Sequence, residues 1–137
     1  MLPGMNSNII ERDRVHSIVS AFYTVYNYYD FGLVEPIYAA ALEIELRGQG
    51  HEVAREVAVA VAYRGQHVAW QRLDMLVDRR VVVEIKSTEH LSKYAPRQIM
   101  SYLRATPHQV GLILHFGPEP KFHRFVDSRP RAYSGNK

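Results

Sequence analysis

Gln71-Arg72-Leu73-Asp74-Met75-Leu76-Val77, the short turn Asp78-Arg79-Arg80 and Val81-Val82-Val83-Glu84-Ile85-Lys86 form the stretch that decides the fold. The valine run reads as a buried strand. Alternation puts Val81, Val83 and Ile85 on one face of it and Val82, Glu84 and Lys86 on the other. Two opposite charges therefore enter an apolar strand from one side. Burying a charge is costly unless it is paired or coordinates a metal. The turn brings the preceding strand alongside, so Asp74 joins the pair. Two carboxylates and a lysine on one patch meet the needs of divalent-metal phosphodiester chemistry: oxygen ligands for a hard cation, and an ammonium beside water and phosphate. The plainer alternative is a cross-strand salt bridge on a solvated face. Apolar Val82 on the same face weighs against it.

Working outward, the periodicity predicts a helix over 9–29, with Val15, Ile18, Val19, Phe22, Val25 and Tyr26 at helical spacing. A second helix runs from about Glu35 to Arg47, with Pro36 in its first turn and Gly48 and Gly50 closing it. Residues 52–63 read as a strand, Arg64-Gly65-Gln66 as a hairpin turn, and 67–77 and 80–86 as two more strands. A third helix is expected from about Lys93 to Thr106, then an apolar strand from Val110 to Phe116 and an edge strand from Lys121 to Val126. Residues 1–126 form one domain, after a frayed lead-in over 1–8. Residues 127–137, polar and without apolar period, read as a disordered tail. Hairpin strands followed by a crossover helix imply an α/β fold with a mixed central sheet flanked by helices, the first two on one side.

The chain has 137 residues, 47% of them hydrophobic and 23% charged, which places it among ordinary globular domains with a real core. It has no cysteine, which excludes disulfides and thiolate zinc and is compatible with the cytoplasm. No apolar run approaches a membrane span, and the first residues lack a basic-then-apolar leader pattern. A net charge of +3 mildly favours a polyanionic partner.

Three further groups of residues bear on chemistry. Gln98 and Tyr102 lie four apart on the third helix, at the edge of the apolar stripe Ala95, Ile99, Leu103 and Thr106. Alone they read as boundary residues; beside the carboxylates they would rim the site. Lys93, Arg97 and Arg104 form a basic stripe suited to a phosphate backbone, or a solvated face. Glu35 starts the second helix, where the helix dipole favours any carboxylate. It shares a face with Tyr38, Leu42 and Leu46, which points it inward toward the site. Tyr38 itself reads as core packing with a hydrogen-bonded hydroxyl. Tyr23, Tyr26, Tyr28 and Tyr29 crowd the end of the first helix; helix packing is the favoured reading and a homodimer through that helix the alternative. The seven histidines show no metal-ligand spacing, His115 and His123 read as structural or exposed, and no motif supports a Ser-His-Asp triad.

With these residues in view, the chain resembles the small bacterial proteins named for a Gly-x-x-Glu-x-x-Tyr motif, part of the PD-(D/E)xK nuclease superfamily. Gly32-Leu33-Val34-Glu35-Pro36-Ile37-Tyr38 carries that motif, Asp74 and Glu84-Ile85-Lys86 the superfamily core, and Gln98-Ile99-Met100-Ser101-Tyr102 the Gln-x-x-x-Tyr element of RecB-like exonucleases. Leu103-Arg104-Ala105-Thr106, Val110 to Ile113 and Phe116-Gly117 resemble the family's ending. The likeness covers roughly residues 10–125 and departs at Tyr23 to Phe31, where aromatics replace a Glu-Val-His-like stretch and a Leu-Gly-Pro-Gly turn. It implies an αβββαβ core and a metal-dependent nuclease acting on DNA. Asp74, Glu84 and the Ile85 carbonyl would bind Mg²⁺ or Mn²⁺. Lys86 would position water or stabilise charge, Glu35 would complete the acidic cluster, and Gln98 and Tyr102 would hold the substrate backbone or support Lys86. The competing expectation is a catalytically silent nucleic-acid- or protein-binding module, or a structural homodimer, on the same fold.

Overall fold

The computed structural model describes residues 10–128. Its elements run α1 (Arg12–Tyr29), α2 (Glu35–Gly48), β1 (Val53–Tyr63), β2 (Gln66–Val77), β3 (Val81–Lys86), α3 (Ala95–Ala105), β4 (Val110–Phe116) and β5 (Pro120–Val126). The strands form one sheet in the order β1-β2-β3-β4-β5. Only β3 and β4 pair in parallel, from Val81↔Val110 to Lys86↔His115; the other neighbours are antiparallel. A parallel pair needs a crossover, and α3 supplies it. The expected α/β architecture with a mixed sheet is therefore the one observed.

Both hairpin turns use left-handed backbone. Arg64 and Gly65 have φ of 51° and 77°, Asp78 and Arg79 of 54° and 58°. Paired positive φ values match the twist of antiparallel strands. The central strands β3 and β4 are covered on both faces. Val81, Val83 and Ile85 pack with Leu112 and Leu114 against α1 and α2. On the other side Val82 packs with Tyr102 and Leu103 of α3. Gly111 lets α3 approach β4: an added Cβ would stand 2.7 Å from Ile99 Cδ1. An aromatic cluster fixes the two leading helices. Phe116 stacks on Tyr38 at 4.0 Å and meets Phe22 edge-on at 4.8 Å, while Tyr26 donates to Gly117 O at 2.6 Å. The tyrosine-rich end of α1 is thus divided, with Tyr26 buried in packing and Tyr28 exposed.

Three details differ from the sequence reading. Helix α3 begins at Ala95, so Lys93 precedes it. Pro96 suits a first helical turn, and the chain enters it through a turn at Ser92, whose Oγ accepts from Tyr94 N and whose carbonyl accepts from Ala95 N. Lys93, Arg97 and Arg104 therefore do not form one helical stripe. Order also runs past Val126: Asp127 is buried and its N–H donates to Gln109 O at 2.8 Å. The lead-in over 1–8 and residues 129–137 of the expected tail lie outside the described residues. Finally, side chains do not alternate without interruption along β1 and β2. Simple alternation would keep Leu73 with Met75 and Val57 with Val53. Instead Met75 and Val53 pack with α1 and α2, whereas Leu73 and Val57 pack with α3. The switch falls at Glu56, whose φ is 51°, and at Asp74, its neighbour across the ladder.

Candidate active site

The β2–β3 ladder pairs Val77↔Val81, Leu76↔Val82 and Met75↔Val83, then stops. The next pair would be Asp74 and Glu84. There the two side chains take over the work of the backbone. Asp74 Oδ2 accepts from Ile85 N at 2.8 Å, and Glu84 Oε2 accepts from Asp74 N at 3.3 Å. The strands fork at this point, and the acids satisfy backbone donors that the missing ladder leaves open. Both carboxylates are thereby fixed in orientation, side by side, at the end of the sheet.

Their electrostatics are unfavourable in the free protein. Burial pushes the Glu84 carboxyl up to about 7, and the neighbouring Asp74 charge pushes the same way; Lys86 partly offsets this and Glu35 adds to it. Burial plus a like charge is the usual cause of a raised carboxylate.

Glu35 arrives from the other side. Gly32, at φ 126°, turns the chain out of α1. The Tyr38 hydroxyl donates to Asp30 O and accepts from Leu33 N at 3.2 Å, which braces the loop. Ser87 just beyond β3 then ties down the start of α2: its Oγ donates to Leu33 O at 2.5 Å and its N–H to Glu35 Oε2 at 3.3 Å. The Gly, Glu and Tyr of the motif thus have separate mechanical parts: a turn, a dock onto β3 and a brace. Ser87 is a positioning residue that the sequence reading passed over; nothing in its local pattern marks it.

Glu84 and Lys86 open into a cleft of about 620 Å³ between the sheet and α3. Arg97, Gln98 and Tyr102 line it from the helix, and Val61, Gln71 and Leu73 from the β1–β2 ribbon. Tyr94 stands at its edge, half-exposed, with the Lys93 ammonium 5.5 Å over its ring. Gln98 is exposed, and Tyr102 is buried against Leu73 and Val82. Burial raises the Tyr102 phenol well above its ordinary value, so it stays protonated as a potential donor. The cleft walls on the ribbon were not foreseen, because they depend on the face switch at Asp74. Lys93 and Arg104 are exposed outside the cleft, while Arg97 lines it.

Divalent cations fit this donor set without filling it. Among the described residues no group of three or more histidine, aspartate and glutamate side chains is close enough to hold a metal unaided. Mg²⁺ commonly takes one or two carboxylates and completes its shell with water and phosphate. Asp74 and Glu84 offer those oxygens, and a cation between them would offset both the burial of the Glu84 charge and its repulsion by Asp74.

A Ser-His-Asp chain does occur, though no sequence motif announced it. His51 Nδ1 lies 2.7 Å from Asp78 Oδ2, and its Nε2 2.7 Å from Ser17 Oγ. Ser17 sits inside α1, where neighbouring backbone N–H groups are engaged in the helix, and its hydroxyl is shared with Gln49 Oε1 at 2.5 Å. Without free N–H donors for an oxyanion, this chain reads as a bridge between α1 and the β2–β3 turn. His115 is likewise structural: it is buried, with Nε2 2.7 Å from Thr88 O.

The fold is that of a nuclease superfamily. The chain matches the PD-(D/E)XK nuclease superfamily over residues 12–125 and belongs to it. Among solved structures it is similar to one titled SSO0001, at 19% sequence identity and a TM-score of 0.51. That likeness covers 88% of this chain and 63% of the other, and at such identity it concerns the fold alone. A search of curated proteins gives no match. Among the described residues no helix is long and apolar enough to cross a membrane.

Proposed function

We propose that the chain hydrolyses phosphodiester bonds in DNA with Mg²⁺ or Mn²⁺ as cofactor, and that it is a GxxExxY-type member of its superfamily. The observation that carries this reading is the fork itself, where Asp74 and Glu84 are locked side by side by the N–H groups of Ile85 and Asp74. Asp74, Glu84 and the Ile85 carbonyl would hold the cation, with Glu35 reaching it through water. When bound, it supplies a water of lowered pKa and offsets charge on the phosphate. The protein's own residues do the rest. Asp74 keeps its oxygens aimed through the Ile85 N–H. Lys86, sharing the cleft with Glu84, donates to a phosphate oxygen as charge grows there. Gln98 and Arg97 meet the nucleic-acid backbone at the mouth, while Val82, Leu73 and Ile99 keep the inner wall dry. The GxxExxY assignment draws on Gly32, Glu35 and Tyr38, each of which has a distinct mechanical use at the site.

Calorimetry with Mn²⁺ and a cleavage assay on labelled DNA test the proposal together. Wild type should bind Mn²⁺, and Asp74→Ala or Glu84→Ala should lose it. Lys86→Ala should keep the metal, because a protonated amine is no ligand, and lose cleavage by about 100-fold or more. Mn²⁺ binding that survives both acid substitutions would place the metal elsewhere. Metal binding without cleavage of single-stranded, double-stranded or branched DNA would point to a silent module.

A further inference from the structure

Strand β1 is an edge of the sheet, and from Val57 onward its outer side carries little of the usual protection: the register shift between Val61 and Ala62 leaves the extra residue, Val68, on β2 and not on the edge strand. Proteins blunt sheet edges with charge, proline or bulges, because an open edge pairs with other strands. The opposite edge follows that rule: β5 carries Pro120, Lys121 and Arg124. From Val57 to Tyr63, β1 reads Val-Ala-Val-Ala-Val-Ala-Tyr, with neither charge nor proline. This segment also belongs to a ribbon of only two strands, since β2 leaves β3 at Asp74. Ala58, Ala60 and Ala62 are exposed on it, and Trp70, across from Ala60, is 67% exposed. A two-stranded ribbon is marginally stable in water by itself.

The segment is complementary to itself. In an antiparallel pair centred on Ala60, Val59 faces Val61 of a second copy, Ala58 faces Ala62, and Val57 faces Tyr63. The register is bounded symmetrically, because the backbone leaves the extended strand at Glu56 and again at Arg64, each with φ 51° and equally far from Ala60. We propose that the chain forms a two-fold dimer in which β1 pairs antiparallel with β1 of a second copy, joining two five-stranded sheets into one. On one face the three alanines leave room for the two Trp70 rings; on the other the valines pack together. The cleft wall formed by Val61, Gln71 and Leu73 is then held from both sides.

Mass in solution by light scattering tests this on the full chain. Wild type should run at twice the 15.8 kDa of one chain. Ala58→Lys with Ala62→Lys sets like charges opposite each other in the proposed register and should give a monomer with wild-type circular dichroism. Ala58→Glu with Ala62→Lys sets Glu opposite Lys and should restore the dimer. A monomeric wild type overturns the proposal. So does a dimer that survives the lysine pair, which would shift attention to exposed Tyr28 and Tyr29 on α1, and so does a Glu/Lys variant that stays monomeric.

Discussion

Glu84 stands where the conflict between stability and function is sharpest. Its carboxyl titrates near 7 in the folded chain, against an ordinary 4.5, first because it is buried and then because Asp74 lies beside it. As pH rises from about 4.5 to 7 the unfolded chain gives up this proton while the folded chain keeps it, so the group's contribution to stability falls over that window. Above 7 the full cost stands, of order 3 kcal/mol at most. In metal-free buffer, Glu84→Gln should therefore stabilise the protein at pH 8 by about 1–3 kcal/mol, and hardly at all near pH 5. Urea denaturation at the two pH values measures this; equal effects at both would mean that Glu84 is not strained by its surroundings. Metal should narrow the gap from the other direction by stabilising wild type alone.

Helix α3 and the β1–β2 ribbon are the two walls of the cleft, and each has one feature that shapes it. For the ribbon this is the face switch at Glu56 and Asp74, which turns Leu73, Val57 and Val59 toward the helix. For the helix it is the cation pair Arg97 and Arg104, one lining the cleft and the other exposed beyond it. If DNA follows the helix, replacing both arginines should weaken binding to all sequences alike and flatten the fall of affinity with salt. Phosphate contacts release counterions and carry no base information. Fluorescence anisotropy at several salt concentrations gives the slope, expected to drop by about 1–2. An unchanged slope would leave the two arginines as plain surface and send the substrate path toward Lys86 and the ribbon alone.

Across the whole molecule, the site end of the sheet is balanced by a polar staple at the far end. Asp78, in the β2–β3 turn, accepts from Arg14 Nε of α1 and from Glu52 N, each at 2.8 Å, and contacts His51 at 2.7 Å. Burial alone would raise its carboxyl, but the bonds from Arg14, His51 and Glu52 outweigh that and hold it at about 2. This contribution is present above the ordinary value of 3.8 and is lost as pH falls through about 2. Asp78→Asn should destabilise the fold by about 1–3 kcal/mol at neutral pH and make stability less sensitive to acid between pH 4 and 2. Acid unfolding followed by circular dichroism checks it; matching acid limbs for the two proteins would remove Asp78 as the anchor of α1.

The element order, the two-sided burial of the valine strand and the opposition of Asp74 to Glu84 were legible in the residues, because each rests on local pattern: periods of 3.6 and 2, turn residues and hairpin register. The same holds for the buried stripe of α3 and for Tyr38 as a hydrogen-bonded core residue. Three things needed the folded chain. The start of α3 falls beyond Lys93 because a turn closed by Ser92 leads into Ala95. The ribbon wall of the cleft exists only because β1 and β2 change faces at Glu56 and Asp74. Ser87 joins Glu35 and the Gly32 loop to the end of β3 across more than fifty residues of sequence. Spacing along a chain reports which side of its own element a residue occupies. It does not report where an element kinks or which distant loop docks on it, since those follow from packing between elements.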